Sequence, residues 1–463
     1  MRIKVAQIKY RVANFEYNYE QISKNFDETV DVMIFPDFET GDTLKIDSRY
    51  TQKKNEFLEK LCKSYNDKTF LIGCNLIKDG KLLNVEDCFI NIDDKKFYIS
   101  KTFNDGINCD TYILCGKSYY AKESHTKLIE NTVTSCNLIY VNPIMLEDEN
   151  VYAGQSFVKN SDNELVYQAE LLKETVFDVC FNKKEDLCNS SDIEEIYNIT
   201  TFALKEYCDI IGFKEVVLGL SGGIDSAVTA VLASDALGAK NVYTIMMPSK
   251  YSSEGSITDS EKLVNNLGIN VETRAIKDLF DCFMNTQETK HDLAEENLQS
   301  RLRGLILMFN SNRYNRLLLS TGNKSEIACG YGTLYGDMCG GLNLIADLTK
   351  TNVYKLANYI NRDKEIIPQE IIDKPPSAEL RPNQKDSDSL PEYDILDKII
   401  EDFVEQNLSY YELTSKYEKD TVNKTLKLIY RAQFKRNQAC LGIRLTENAF
   451  CSNIKLPVLQ GLQ

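Results

Sequence analysis

Histidine is almost missing: the 463-residue chain holds two, His125 and His291. That excludes a histidine-built metal centre and leaves a Ser-His-Asp relay little to draw on. None of the 14 cysteines stands in a Cys-x-x-Cys pair, which removes zinc ribbons and thioredoxin-like redox motifs. Scattered thiols of this kind are expected to stay reduced and mostly buried, and a cytoplasmic location follows as an expectation. No apolar run reaches the roughly 18 residues of a membrane span, and the opening MRIKVAQIKY reads as a strand rather than a signal peptide. Long basic runs, repeats and low-complexity tracts are lacking too. With a net charge of −15, nucleic acid is disfavoured as a partner, because a phosphate backbone demands clustered Lys and Arg. What is present, 43% hydrophobic and 27% charged residues, is an ordinary globular balance, long enough for two or three domains.

Up to about residue 182 the chain is rich in short β-branched and aromatic segments (IKVAQIKY, VMIFPDF, TFLIGCNL, DCFINID, KFYIS, NLIYVNP, SFVKNS, LVYQAEL), which predict strands. Helical stretches are expected at 18–30 and 51–65. The polar segment 182–192 carries the expected linker, and Ser190 or Ser191 is expected to cap a helix over 193–212. From there to about residue 360 strand candidates (216–220, 241–247, 270–276, 316–320) alternate with long helices. That alternation predicts a doubly wound parallel sheet, with ligands at the carboxyl ends of its strands. A proline-rich segment, 374–388, and a helical tail, 393–439, follow.

The most telling stretch is VVLGLSGGIDSAVTAVLASDALGA, 216–239. A strand feeds a glycine turn (Gly219, Leu220, Ser221, Gly222, Gly223, Ile224, Asp225, Ser226) that opens a helix. Such a turn aims backbone N–H groups and a helix dipole at one point, where an anion fits. Asp225 could hold a magnesium ion bridging phosphate oxygens. No Gly-Lys-Ser/Thr follows, so this is not a Walker loop, nor is it a G-x-G-x-x-G turn. A second hydrophobic strand ends in Thr321-Gly322-Asn323-Lys324-Ser325-Glu326 and turns into a helix. Glu326 could share the magnesium, whereas a purely structural reading makes Thr321 or Ser325 the helix N-cap.

The loop resembles the SGGxDS loop of ATP pyrophosphatases. SGGIDS, MMPSKYSSEGS, ENLQSRLRG, TGNKSEIACGYGTLYGDM, KPPSAELRPNQKDSDSLPEYD and RAQFKR together resemble the synthetase domain of NAD⁺ synthetases, over roughly 193–450. The resemblance implies ATP-dependent amidation of deamido-NAD⁺ through an adenylated intermediate, with ATP and Mg²⁺ required. It implies ATP contacts at 219–226, Thr321, Lys350 and Ser377, and magnesium at Asp225 and Glu326. Asn297, Arg301, Glu326, Asp337 and Lys435 would meet deamido-NAD⁺. Lys250 stands where Arg is expected, losing a bidentate fork, and Phe434 where shorter enzymes of this kind carry His. A homo-oligomer is also implied.

The front segments MRIKVAQIKY, VMIFPDFETGD, NLIYVNP and YAGQSFVKNSDNELVYQA resemble the carbon–nitrogen hydrolase (nitrilase) family. The expected fold is therefore α/β throughout: a truncated nitrilase-like α-β-β-α layered domain, 1–185, then a doubly wound ATP pyrophosphatase-type (adenine nucleotide alpha hydrolase-like) domain, 190–455. In glutamine-dependent NAD⁺ synthetases the front domain releases ammonia from glutamine with Glu, Lys and Cys. Here the Glu position is Asp37, Lys101 fits the Lys, and Ser118-Tyr119-Tyr120 begins only 17 residues after Lys101. The nucleophile strand has no counterpart in that interval. Cys109, beside an acidic residue, and Cys115 are the remaining thiols. The expectation is a degenerate amidase kept as a scaffold or oligomerisation surface, with free ammonia as nitrogen donor. The alternatives are a divergent but working glutaminase, another ATP pyrophosphatase such as a tRNA-modifying enzyme, and a nucleotide-binding regulator.

Overall fold

Short strands rich in Val, Ile, Phe and Tyr pair into two six-stranded sheets in the front unit, residues 1–195. The structure, a computed structural model, describes residues 1–39, 44–184, 190–290, 292–382 and 384–461. His291 and the middle of the expected linker, 185–189, lie outside them. The first sheet is built from β1 (Ile3–Gln7), β2 (Val32–Phe35), β3 (Thr69–Ile72), β4 (Asn75–Lys78) and β5 (Lys81–Asn84). The second uses β6 (Cys88–Ile92), β7 (Lys95–Ser100), β8 (Thr111–Leu114) and β9 (Asn137–Tyr140). A hairpin, β10 (Ile144–Glu147) and β11 (Asn150–Ala153), stands apart, then β12 (Phe157–Lys159) and β13 (Leu165–Gln168) join the second sheet and β14 (Thr175–Asp178) the first.

The orders are β14-β1-β2-β3-β4-β5 and β13-β12-β9-β8-β7-β6. Val5, Ile34 and Leu71 of one sheet share a core with Phe97, Ile113 and Val158 of the other, so the sheets pack face to face. The outer face of the first is covered by α1 (Phe15–Asn25) and α2 (Ser48–Ser64) through Ile22, Phe57 and Leu61. Leu128 and Ile129 of α3 (Ser124–Asn131) pack against the outer face of the second. The layers are α-β-β-α. α1 starts before the expected 18–30 because Asn14 caps it, and α2 starts before 51–65 because Asp47 does. The hairpin strands were not foreseen, being too short to carry a clear alternation.

Ser191 accepts from Glu194 N (3.4 Å) at the start of α4 (Asp192–Ile211), as expected of a cap. The second unit, 196–463, then winds a sheet in the order β17-β16-β15-β18-β19-β20, every neighbour parallel. Its strands are β15 (Val216–Gly219), β16 (Val242–Met246), β17 (Asn270–Thr273), β18 (Leu317–Ser320) and two-residue β19 (Leu342–Asn343) and β20 (Leu441–Gly442). The crossovers are α5 (Ile224–Leu237), α6 (Glu254–Leu267), α7 (Lys277–Met284) with α8 (Leu293–Tyr314), α9 (Lys324–Cys329), and α10 (Lys350–Ile360) with α11 (Gln369–Asp373). The tail divides into α12 (Tyr393–Val404), α13 (Tyr410–Lys416), α14 (Lys419–Arg431) and α15 (Gln433–Arg436). Its apolar faces close over α9 through Ala328, Cys329, Ile399 and Ile429. Among the described residues no helix is long and apolar enough to cross a membrane.

Candidate functional site

The carboxyl ends of β15 and β18 adjoin, and both lead straight into helices. Between them lies a cavity of about 290 Å³, bounded by 219–226, Thr321, Glu326, Lys350, the 374–380 segment and Asp386. At the first mouth Gly222 has φ +77°, and a Cβ there would stand 2.4 Å from the Ser256 carbonyl oxygen. Only glycine allows both the turn and the approach of α6. Ser226 Oγ binds the Gly223 carbonyl (3.0 Å), and Gly223 N donates to Ser221 Oγ (3.2 Å), which holds the turn rigid. α5 starts at Ile224, so its first N–H groups face the cavity edge without intrahelical acceptors.

At the second mouth the N-cap is Asn323, a correction to the expectation of Thr321 or Ser325. Asn323 and Glu326 form a reciprocal capping box: Glu326 N donates to Asn323 Oδ1 (3.0 Å), and Asn323 N to Glu326 Oε2 (3.2 Å). Ser325 instead hydrogen-bonds Asp397 and accepts from Lys350 N (2.9 Å), tying α9 to α10. The floor below is a buried charge network: Lys324, fully enclosed, meets Asp347 at 2.9 Å and Glu405 at 2.7 Å.

Asp225, Glu326 and Lys350 converge. The Lys350 ammonium lies 2.5 Å from Asp225 Oδ2 and 4.0 Å from Glu326. Its proton affinity is raised by these carboxylates against an opposing burial effect, and burial followed by the Asp225 charge pushes the Glu326 carboxyl well above the ordinary range. Two carboxylates, oxygen donors of the kind a hard divalent ion takes, thus meet at one point, and among the described residues no third such ligand joins them. Sequence reasoning overlooked Asp386, buried in the cavity wall and bonded to the Tyr393 hydroxyl (2.9 Å). It also overlooked Arg303, a cavity-lining side chain that donates to the Met247 carbonyl (3.1 Å). Arg303 sits inside ENLQSRLRG and Asp386 inside KPPSAELRPNQKDSDSLPEYD, segments that carry the resemblance, with no spacing of their own to mark them as site residues.

Ser377 lines the cavity, its hydroxyl bonded to the Gln384 carbonyl (2.6 Å). Beside it Glu379 accepts from Ser253 Oγ (2.9 Å) and Ser256 Oγ (2.8 Å), docking the proline-rich segment onto α6. The residues expected at deamido-NAD⁺ gather around the 330–337 loop. Lys435 donates to the carbonyls of Gly330 and Gly332 (2.7 Å each), Arg301 to that of Leu334 (3.2 Å), and Asn297 accepts from Thr333 Oγ1 (2.8 Å). The Asp337 carboxylate accepts from Thr333 N (2.6 Å). Of these four only Asp337 reaches the cavity wall.

The front unit has its own cavity, about 540 Å³, lined by Asp37, Glu39, Lys101, Lys117, Glu147 and Tyr152 among others. Lys101 stands 3.4 Å from Asp37 and 3.3 Å from Glu39. Burial raises the Asp37 carboxyl, and the two carboxylates raise Lys101 in turn. Among the described residues no thiol lines this cavity. Cys109, expected beside Asp37 and Lys101, is not brought to them: its sulfur lies 3.3 Å from that of Cys136, in the core under α3. Its hydrogen bond to Cys136, then burial, drives its proton affinity up, the reverse of what a nucleophile needs. Cys115 is enclosed with Cys74, and that contact and burial raise its thiol as well. No disulfide joins the 13 cysteines among the described residues.

Residues 196–439 match the NAD synthase family. A glutamine-dependent NAD⁺ synthetase of Synechocystis sp. is 41% identical over 363 residues, 75% of this chain and 64% of that protein. Another, from Acinetobacter baylyi, is 40% identical over 402 residues, 84% and 71% of the two. The chain thus spans about two thirds of the length of these curated relatives. Among solved structures, a glutamine-dependent NAD⁺ synthetase of Acinetobacter baumannii in complex with ADP superimposes with TM-score 0.74 at 28% identity, over 100% of this chain and 99% of that one. One from Cytophaga hutchinsonii shares the fold with TM-score 0.84 at 17% identity, over 100% and 98%.

Proposed function

The chain belongs to the NAD synthase family, and we propose that it converts deamido-NAD⁺ to NAD⁺ with ATP, Mg²⁺ and free ammonia. The observation that carries this reading is the convergence of the glycine turn, Asp225, Glu326 and Lys350 on one cavity. The N-terminal amides of α5 would receive the departing pyrophosphate, and Lys350 would leave Asp225 for the triphosphate oxygens. Asp225 and Glu326 would hold Mg²⁺, which supplies charge neutralisation. The nicotinate carboxylate would attack the α-phosphorus, pyrophosphate would leave, and ammonia would displace AMP from the resulting anhydride. Thr321 and Ser377 line the nucleotide cavity, and Asp337 with the loop braced by Asn297, Arg301 and Lys435 would shape the dinucleotide side.

The front unit would be a nitrilase-like scaffold. Asp37 and Lys101 remain paired, Cys109 lies away from them against Cys136, and Cys115, close enough to feel both charges, is enclosed with Cys74 and does not line the cavity; both thiols are raised. A homo-oligomer in the cytoplasm completes the reading. The test is turnover of deamido-NAD⁺ with ATP and Mg²⁺, with ammonium or glutamine as sole nitrogen source. The expected result is robust NAD⁺ formation on ammonium and under about 1% of that rate on glutamine. Comparable rates would restore a working glutaminase, and no NAD⁺ with either donor would overturn the synthetase assignment.

A further inference from the structure

Asn323 is fully enclosed, and its side-chain amide is used at both ends. Oδ1 accepts from Glu326 N at 3.0 Å. That fixes the amide's orientation, because the other end must face a group that can only accept. It does: Nδ2 donates to Asp225 Oδ1 at 3.0 Å, across 98 residues of sequence. The backbone on either side is pinned. Asn343 Nδ2 holds the Gly322 carbonyl at 2.8 Å, and Lys324 N donates to the Leu348 carbonyl at 2.8 Å.

Capping alone does not explain this residue. Ser, Thr or Asp would accept from Glu326 N equally well. Only a short primary amide joins that acceptor to a donor on the same rigid plane. One side chain therefore sets the start of α9, hence Glu326, and the rotamer of Asp225 on α5. It takes up Oδ1 of Asp225 and leaves Oδ2 toward Lys350 and the cavity.

We infer that Asn323 is a positioning residue that holds the Asp225 and Glu326 carboxylates in register for a divalent cation bound with the nucleotide. The inference rests on the ATP·Mg²⁺ reading above. The donated bond is charge-assisted, so its loss frees a partly buried carboxylate to rotate rather than leaving it in place.

The test is a double-mutant cycle on the full chain, reading Mn²⁺ affinity by electron paramagnetic resonance with a non-cleavable α,β-methylene ATP analogue present. Asn323→Ser keeps the cap acceptor but is too short to reach Asp225. It should weaken Mn²⁺ about tenfold, the size of one lost charge-assisted hydrogen bond, raise the Mg²⁺ needed for half-maximal turnover by a similar factor, and recover near-normal kcat at saturating metal. In the Asp225→Ala background the same change should alter Mn²⁺ affinity by less than about twofold, since no acceptor is left for the amide. A purely structural cap would give equal effects in both backgrounds, or none, and either result overturns the inference alone. If the unaltered protein with the analogue binds no Mn²⁺, the nucleotide reading falls and the inference with it. Should the serine variant not fold, Asn323→Thr, which keeps a cap acceptor and likewise lacks the amide donor, enters the same cycle with the same loss expected.

Discussion

Both units hold a lysine between two carboxylates, yet the backbone that surrounds the two lysines differs. In the front unit Lys101 lies 3.4 Å from Asp37 and 3.3 Å from Glu39; in the second Lys350 lies 2.5 Å from Asp225 and 4.0 Å from Glu326. The charges are alike and the backbones are not. Around Lys350 two strand ends deliver helix N-termini and a glycine turn, so an anion finds fixed N–H donors that need no reorganisation. Around Lys101 the cavity is lined mainly by side chains of either sign, and among the described residues neither a helix start nor a thiol lines it. A buried ion pair persists as a structural feature after a nucleophile is gone, because removing either partner leaves an uncompensated charge. Retained catalytic-type residues are thus weak evidence for retained catalysis.

The contrast breaks most sharply at the carboxylates. Asp225→Ala should lower pyrophosphate release by at least about a thousandfold, the scale of a lost electrostatic stabiliser, while Cys115→Ala should change the rate on either nitrogen donor by less than about twofold. A large Cys115 effect confined to glutamine would show that the front cavity still works. Next in size is the floor of the second site. Lys324→Met leaves Asp347 and Glu405 facing each other unneutralised and should destabilise that unit by about 3–5 kcal/mol. Calorimetry should show one transition falling and the other staying, and a joint fall would mean that the units do not melt separately.

The smallest effect belongs to the front unit. His125 is half-buried beside Tyr140 and Phe157, and the burial of its ring holds its pKa down to about 4. Below its ordinary value the unfolded chain takes up a proton that the folded chain refuses. Stability is therefore lost as pH falls from about 6.5 to about 4 and levels off below that, by up to about 3 kcal/mol. His125→Leu should remove this slope, so the melting difference from the unaltered protein should widen on acidification. A constant difference would place the proton uptake elsewhere.

Much of the second site was legible because its signals are local. A strand, a glycine turn and a helix start occupy consecutive residues, and the φ of +77° at Gly222 is a demand that sequence expresses directly. That the front unit is a layered α/β domain was legible from its short strands and the helices between them, its α-β-β-α order was implied by the resemblance, and hairpin strands such as Ile144–Glu147 were too short to declare themselves. Cys109 looked reactive from its acidic neighbour; its actual partner, Cys136, lies 27 residues on and becomes adjacent only because β8 and β9 run parallel. Asn297, Arg301 and Lys435 looked like ligand contacts, and their polar groups are engaged by the carbonyls and hydroxyl of the 330–334 loop.

Sequence alone determined the elements and the turn that makes an anion site, since these depend on torsion angles and hydrogen bonds between near neighbours. Tertiary structure alone decided that Asn323 would cap one carboxylate's helix and grip the other carboxylate, that Lys350 would stand between them, and that neither Cys109 nor Cys115 would reach the front cavity. Those outcomes depend on which strand lies beside which, and on distances of a few ångströms between residues far apart in the chain, which no local preference encodes.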